Sequence, residues 1–193
     1  MAKSIDETKL QRIKEATIEM VVSKGYGGAS VSSIAKKAQV ADGYLYRHYP
    51  SKAALVQALY SSNIEYYRNI IFKNMEDKES LEEVIYHFCV EIFNLANDNP
   101  SRAKFINMLM NDYTFLMSKE MTLKIPESLK AMVERGHKSG EVGSEINVEM
   151  FTAVFPAIPI QYASSRATSV FSSERLTEDD AKIVTKLCIK ALA

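Results

Sequence analysis

Apolar residues recur along this chain every three to four positions, and no stretch alternates as a half-buried strand would. The pattern predicts an all-α fold. Helices are expected at residues 7–24, 31–38, 42–48, from about 51 into the mid-seventies, 80–96, 105–121, 126–136, 147–171 and 178–192. The segment 105–121 is apolar nearly all round, which is typical of a helix that is buried on most sides or borders a cavity.

Capping residues mark several helix boundaries. Gly25 is expected to end the first helix, and Ser30 can accept a hydrogen bond from the first turn of the next one. Ser80 and Thr177 each stand three positions before an acidic residue, which is the capping-box pattern. Asn99 is followed by a proline at the first helical position. These starts are therefore more firmly predicted than the helix ends.

The length of 193 residues permits a small domain joined to a larger one. Net charge is zero, but residues 1–60 carry nine basic and five acidic side chains, and the rest carry 15 basic and 19 acidic ones. This asymmetry suggests that only the front of the chain meets a polyanion. No apolar run approaches the roughly 20 residues of a membrane span, and MAKSIDETKL lacks the apolar core of a signal peptide, so a cytoplasmic protein is expected. Cys89 and Cys188 fit as small buried apolar residues.

Residues 30–49 read as two short helices joined by a tight turn, the arrangement of a helix-turn-helix whose second helix enters the major groove. Basic side chains for phosphate contacts accompany it, together with the hydroxyls of Tyr44, Tyr46 and Tyr49. The basic side chains are those of Lys36, Lys37, Arg47 and Lys52. Without regard to order and spacing, the cluster fits an ordinary aromatic core with a charged rim better than a DNA-binding surface.

Order and spacing change that balance. The string LYRHYPSKAAL at residues 45–55 resembles the Leu-Tyr-x-His-Phe-x-x-Lys-x-x-Leu signature of the TetR family of bacterial transcriptional repressors, with Tyr49 in place of phenylalanine. The resemblance also includes Gly25-Tyr26, Val31, Ile34, Ala35, Ala38, Val40 and Gly43. It implies a helix-turn-helix DNA-binding domain at 7–67 and a helical ligand-binding and dimerisation domain at 68–193. It also implies that Leu45 is a core residue.

The same resemblance implies a set of DNA-binding residues. Base edges are expected to meet residues 41–44 and Arg47, and phosphates are contacted or buttressed by Tyr46, His48 and Lys52. The full expected set is Ser30, Ser32, Lys36, Ala41, Asp42, Gly43, Tyr44, Tyr46, Arg47, His48, Tyr49 and Lys52.

Two positions depart from the family pattern. Gln39 occupies a turn position where the family usually has glycine, so a left-handed backbone there would be strained. Asp42 stands at the head of the recognition helix and would face a polyanion. Its preferred interpretation is a helix N-cap, and the alternative is an acceptor for a cytosine amino group; both can hold.

The larger half is rich in methionine and aromatic residues, including Met110 and Phe115, which suit a cavity for varied apolar molecules. The expected ligand-binding residues are Phe88, Phe105, Met108, Tyr113, Met117, Met121 and Phe155. The alternative is a methionine-filled core that binds nothing. A long helix that begins at about residue 51, the linking helix, is expected to join the two halves of the chain. A ligand is expected to act by shifting the helix at 80–96 against it.

Helices 147–171 and 178–192 are apolar on more faces than one small core requires, and Pro156 and Pro159 should kink the former. The resemblance implies that these helices form a homodimer contact, which would place two recognition helices about 34 Å apart on a palindromic operator. Packing of both helices on their own subunit explains the pattern nearly as well.

The function implied is a ligand-responsive, DNA-binding transcriptional regulator, a repressor released from its operator by a small, largely apolar molecule. The alternative is a helical ligand- or protein-binding module of the same fold that has lost specific DNA recognition. An enzyme is not expected, because His48, His87 and His137 lie far apart and no nucleophile elbow, phosphate loop or metal-ligand spacing occurs. No catalytic residue, metal or cofactor is therefore predicted.

Overall fold

The structure, a computed structural model, describes residues 7–112, 114–117, 119–166 and 174–193, and only the backbone of 120–126 and 128. Those residues form helices without a strand, as the periodicity predicts. The helices are α1 (Glu7–Gly28), α2 (Val31–Ala38), α3 (Asp42–His48), α4 (Lys52–Asp77), α5 (Leu81–Asp98), α6 (Pro100–Met110), α7 (Lys119–Ser139), α8 (Val148–Val154), α9 (Ala157–Arg166) and α10 (Glu178–Leu192). No helix in the described ranges is long and apolar enough to cross a membrane.

The first three helices form a small head around a shared apolar core. Ile13 and Val21 of α1, Ile34 of α2 and Leu45 of α3 are all completely buried. The predicted cap at Ser30 is present: its hydroxyl accepts the Ser33 amide at 3.1 Å and starts α2. Regular helical geometry of α1 is interrupted at Gly25, where φ is +74°, a value that glycine adopts without steric cost. The head is thus built from the local signals in its sequence.

The linking helix α4 has 26 residues and is about 39 Å long. Its first half buries Leu55 and Val56 in the head, and its second half buries Tyr67 and Ile71. Helix α5 packs against both α4 and α10. The predicted domain boundary between residues 67 and 68 falls inside α4, so this division of the chain stays a prediction.

Two predicted helices are broken in the structure, and a third, 126–136, is longer than predicted because α7 begins at Lys119. The segment 105–121 is not one helix, because α6 ends at Met110. The Asp112 carboxylate then accepts the Thr114 amide at 2.8 Å, a side-chain turn that replaces the next helical bonds. Residues 147–171 form two helices rather than one, and those beyond Arg166 up to 173 lie outside the described residues.

The break between α8 and α9 lies at the Phe155–Pro156 peptide, which is cis. Phe155 is extended, with φ −127° and ψ 128°, and proline cannot supply the amide that would continue α8. Pro159 does not kink the chain as predicted. It occupies the first turn of α9, where a backbone amide has no helical partner, so its missing N–H costs no bond.

Candidate nucleic-acid interface and ligand cavity

Helix α3 has one fully buried side chain and several exposed ones. Leu45 is completely buried in the head. Asp42, Gly43 and Arg47 are exposed, and so is Tyr46, of which 53% is accessible. Large aromatic residues at this exposure have no packing role in the free protein. The outer face of α3 therefore offers hydroxyl, guanidinium and carboxylate groups for recognition.

The neighbouring helix α2 contributes a second exposed edge. Ser32 and Lys36 are exposed, and Ser30 forms a reciprocal capping box with Ser33. Lys37 instead forms an ion pair with Glu19 of α1, with 2.6 Å between nitrogen and oxygen. Lys36 takes no part in that ion pair.

Several predicted DNA-binding residues lie partly inside the head. Tyr44, His48 and Tyr49 are half-buried, and the rings of Tyr44 and His48 are 4.8 Å apart. The ammonium of Lys9, from α1, lies 5.6 Å from the Tyr44 ring centroid. These aromatic side chains can hold α3 in position while the exposed residues face outward.

Lys52 ties two helices together. Its Nζ donates to the backbone carbonyl of Tyr26 at 2.7 Å and lies 4.5 Å from the centroid of the Tyr26 ring. The first residue of α4 is thereby fixed to the end of α1. The Lys52 ammonium thus has a contact within the protein that holds the two helices together.

The two departures have different outcomes. Gln39 does adopt the left-handed conformation that the turn requires, with φ 55° and ψ 46°. Asp42, by contrast, is not the N-cap of α3, so that preferred interpretation is wrong. The cap is Ala41, with extended backbone and no side-chain capping bond, and Asp42 is already helical. The Asp42 carboxylate lies in the first turn, where it interacts favourably with the positive end of the helix dipole.

A cavity of about 570 Å³ lies beside α4 in the larger half, within the roughly 300–1,000 Å³ usual for ligand pockets. Helix α4 lines one wall with Tyr60, Ile64, Tyr67, Arg68 and Ile71. The opposite side is formed by the end of α6 and the segment that follows, with Leu109, Met110, Asp112, Phe115, Leu116 and Met117. Leu129, Thr152, Pro156 and Ile160 complete the lining. The lining is thus mostly apolar, with a few polar groups.

Among the predicted ligand-binding residues, Met117 lines the cavity, as do Met110 and Phe115. Phe88, Phe105 and Phe155 are completely buried in the core and are not part of the lining. Met108 is half-buried and also outside it. Tyr113 and the side chain of Met121 lie outside the described residues.

Sequence reasoning missed the wall supplied by α4. None of its residues belongs to the predicted ligand-binding set. Their spacing carries a signal, since Tyr60, Ile64, Tyr67 and Ile71 follow one another at helical intervals and two of the four bear hydroxyl groups. Two tyrosines on an otherwise apolar helix face indicate a cavity wall that includes hydrogen-bonding groups.

Burial perturbs both of these tyrosines. It raises the pKa of Tyr60 to about 12 and raises that of Tyr67 further. The hydroxyl of Tyr67 is buried and has no hydrogen-bond partner among the described residues. Behind it, the Tyr67 ring meets the edge of the Phe88 ring, with centroids 6.0 Å apart.

The cavity and the head share one aromatic side chain. Phe115 lines the cavity and packs on Tyr60, with ring centroids 5.1 Å apart. On its other side it packs on Tyr26 of the head at 5.5 Å. The Gln57 side chain also donates to the Leu116 carbonyl at 2.8 Å. Helix α6, which leads into this segment, packs against α1, whereas the sequence had assigned ligand coupling to the helix at 80–96.

The outer face of α10 carries two exposed apolar residues. Ile183 is 67% exposed and Leu187 is 52% exposed, and they lie one helical turn apart. Cys89 and Cys188 are buried free thiols, as expected, and burial raises their pKa values to about 12 and about 11. Among the side chains that the structure describes, no group of three or more His, Cys, Asp or Glu residues could hold a metal ion.

Comparison with known proteins gives a family match within the head. Residues 13–59 match the family model described as bacterial regulatory proteins, tetR family. The fatty acid metabolism regulator protein of Bacillus subtilis is 24% identical over 149 residues, which cover 74% of this chain and 75% of that protein. The transcriptional regulator UidR of Escherichia coli K12 is 26% identical over 144 residues, covering 72% and 71%.

Solved structures share the fold over nearly the whole chain. A TetR family transcription regulator from Marinobacter aquaeolei superposes with a TM-score of 0.79 at 18% identity, covering 97% of each chain. FadR from Bacillus subtilis, in complex with stearoyl-CoA, superposes with a TM-score of 0.76 at 19% identity, covering 95% of this chain and 100% of that one. Residues 13–59 thus match the tetR family of bacterial regulatory proteins, and the chain shares its fold with solved TetR family regulators.

Proposed function

We propose that the chain is a ligand-responsive transcriptional repressor that leaves its operator when an apolar molecule fills the cavity beside α4. The observation that carries this proposal is the position of Phe115, which lines the cavity and packs on the DNA-binding head at once. A ligand that moves this ring must act on the head as well. Regulation by small molecules needs this kind of physical link between two distinct sites.

DNA recognition is assigned to the exposed faces of α2 and α3. Arg47 and Tyr46 are the side chains best placed for the groove, and Lys36 supplies charge for the phosphate backbone. Asp42 is exposed and is not the helix cap, so its carboxylate can accept from a cytosine amino group. Tyr44, His48, Tyr49 and Lys52 act mainly by positioning α3 and α4.

A homodimer is assigned to the surface formed by α8, α9 and α10. The exposed side chains of Ile183 and Leu187 support it, because apolar residues paired on one helix face favour contact with another apolar surface. A twofold dimer would read a palindrome with half-sites about 34 Å apart.

The effector is assigned to molecules with a long apolar chain. The Bacillus subtilis FadR structure holds stearoyl-CoA, and the curated relative is a fatty acid metabolism regulator. The mostly apolar lining and the 570 Å³ volume of the cavity here suit an acyl chain. Ligand binding would shift α6 and the segment after it against α1, and the heads would lose the spacing that the groove requires.

The test begins with DNA. Purified protein would select from random duplexes at about 150 mM salt, where phosphate contacts alone bind weakly. The expected result is a palindrome with half-sites about one helical turn apart. Acyl-CoA thioesters of several chain lengths would then be titrated into the complex and should release the duplex. Selection without any enriched sequence would reject the repressor and leave a ligand-binding module with the same fold.

A further inference from the structure

We propose that the Tyr67 hydroxyl is the hydrogen-bond donor that selects ligands bearing a carbonyl or carboxylate group on their apolar chain. This inference rests on the proposed function for the cavity and names the chemistry that the cavity recognises. Tyr67 lines the cavity and is only 3% exposed. Its hydroxyl is buried and has no hydrogen-bond partner among the described residues.

An unpartnered hydroxyl in this setting requires an explanation. More than about nine in ten buried polar groups in proteins have a hydrogen-bond partner, since leaving one unpaired is costly. The polar groups near Tyr67 follow that rule. Asn63, one helical turn away, donates to the Leu59 carbonyl at 2.8 Å and accepts from Nε of Arg102. The chain thus satisfies the polar groups around Tyr67 and leaves this hydroxyl available.

The surroundings of the hydroxyl determine what it can bind. Burial raises the pKa of Tyr67, and the Arg102 guanidinium, which donates to Asn63 one helical turn away, acts in the opposite direction. Arginine offers donors only, so a ligand group in this place must accept hydrogen bonds. Asp112, the carboxylate in the cavity wall, already accepts from the amide and hydroxyl of Thr114.

This electrostatic setting favours an oxygen acceptor, neutral or anionic, over an amine. An acyl carbonyl provides that group whether it belongs to a free fatty acid or to a thioester. The apolar walls bind the chain in either case, because removing apolar surface from water is favourable whatever the head group. Tyr67 would therefore govern which chains bind rather than whether chains bind.

The test compares Tyr67→Phe with the unchanged protein in the absence of DNA. Binding of dodecanoate, dodecanoyl-CoA and dodecylamine would be measured by calorimetry, and the melting temperature of the ligand-free protein by circular dichroism. The matched control is Tyr66→Phe, which removes a hydroxyl from the adjacent, partly exposed tyrosine outside the cavity lining.

The expected result has two parts. Tyr67→Phe should weaken the binding of at least one acyl compound about fivefold, as the loss of one hydrogen bond predicts, and leave dodecylamine within about twofold. The melting temperature should stay the same or rise, because the substitution removes an unpaired buried group. Loss for only one of dodecanoate and dodecanoyl-CoA would tell the free acid from the thioester as the source of the carbonyl, and loss for both would show that either source serves.

Three outcomes would overturn the proposal. A lower melting temperature for Tyr67→Phe than for Tyr66→Phe would show that the hydroxyl has a protein partner. Equal losses for the acyl compounds and the amine would assign the effect to cavity shape. Failure of both acyl compounds to bind the unchanged protein, or to lose affinity in the variant, would remove the donor role. None of these depends on DNA, so they are separate from a failure of the repressor function.

Discussion

Gly43 shows at the scale of one residue how the recognition helix is built for an approaching partner. A Cβ added there would meet no atom within 4 Å, and its backbone is not in the left-handed region. Nothing in the protein itself therefore requires glycine at this point of α3. Glycine lowers the stability of a helix relative to alanine, and we infer that a partner comes close to the backbone at this position.

Gly43→Ala should therefore separate folding from DNA binding. The free energy of unfolding is expected to rise by about 0.5 kcal/mol, because alanine loses less conformational entropy. Affinity for the selected duplex is expected to fall at least about tenfold, as a methyl group enters the contact. Thermal denaturation and fluorescence anisotropy would measure the two effects. Unchanged DNA affinity would mean that the duplex does not approach α3 at this residue.

Lys52 illustrates a charge whose main contact lies within the protein. Lys52→Ala should lower the free energy of unfolding by about 1–2 kcal/mol, since it removes a charge-assisted hydrogen bond and a cation–π contact. Lys36→Ala, at an exposed lysine, should change stability by less than about 0.5 kcal/mol but reduce the salt dependence of DNA binding by about one phosphate. The reverse pattern would show that Lys52 is the direct phosphate ligand.

Predictability at this scale follows the range of the interactions. The cap at Ser30 and the left-handed Gln39 could be predicted because both depend on neighbours within a few positions. The bond from Lys52 to the Tyr26 carbonyl joins residues 26 positions apart, and no local pattern encodes it. Asp42 was misassigned by one position, since the shift of a cap from residue 42 to Ala41 depends on how α3 packs.

Among the elements, α9 and α10 are joined by a polar contact centred on Asp180. One oxygen of its carboxylate accepts from the Tyr162 hydroxyl at 2.8 Å and from Arg166 at 3.1 Å. The other accepts from the amide and the hydroxyl of Thr177, both at 2.8 Å. Partial burial alone would raise the pKa of Asp180, but these hydrogen bonds outweigh it and lower that pKa to about 2.

The contact should make stability depend on pH in the acid range. Because the folded pKa of Asp180 is below its unfolded value, its contribution is complete above about pH 4 and is lost as pH falls toward 2. Asp180→Asn should lower the free energy of unfolding at neutral pH by about 1 kcal/mol, after allowance for solvent screening. The difference from the unchanged protein should vanish near pH 2.

Denaturant unfolding at several pH values would measure this difference, with Asp179→Asn as the control on an exposed neighbour. A difference that stays constant from neutral pH down to about pH 2 would show that Asp180 stabilises the helix pair by packing rather than by charge.

Helices were predictable where caps and periodicity agree, and less so where only composition was available. The run from 105 to 121 is apolar enough for one long helix, yet α6 ends at Met110. A turn formed by Asp112 and Thr114 replaces the helix there. This turn is favoured because Phe115 packs against both Tyr26 and Tyr60. Tertiary packing of this kind outweighs helix propensity.

For the molecule as a whole, the ring contact between Tyr26 and Phe115 joins the cavity directly to the head. Tyr26→Ala should leave the separate affinities for duplex and effector within about threefold, because Tyr26 belongs neither to the expected DNA surface nor to the cavity lining. The factor by which effector weakens DNA binding should fall at least about fivefold.

Fluorescence anisotropy of the labelled operator, with and without saturating acyl-CoA, would give that coupling factor. Tyr86→Ala on α5 is the matched control, since this tyrosine is only partly buried and lies on neither surface. An undiminished coupling factor in Tyr26→Ala would assign the coupling to the rest of the α1 and α6 interface.

The cavity was predictable in outline from the sequence, whereas the DNA contacts stay a prediction. The resemblance placed DNA contacts in the first 52 residues and a cavity in the aromatic region of the larger half, and Met117 does line the cavity. The facing wall could not be placed, because α4 was interpreted only as a link between halves. The first turns and the last turns of such a helix pack against different parts of the chain. Periodicity shows which residues are buried but not what each of them contacts.

Phe115 lines the cavity and also packs on the head, so the affinity of an effector and its maximal effect on DNA binding can differ. In the proposed mechanism, occupancy of the cavity is governed by apolar area and by groups such as Tyr67, whereas the response of the head is governed by how far a bound molecule displaces the Phe115 ring. Molecules that bind equally well can then differ in maximal response, and a small one that leaves Phe115 in place would act as a competitive antagonist. Screens that score binding alone would count inducers and antagonists together.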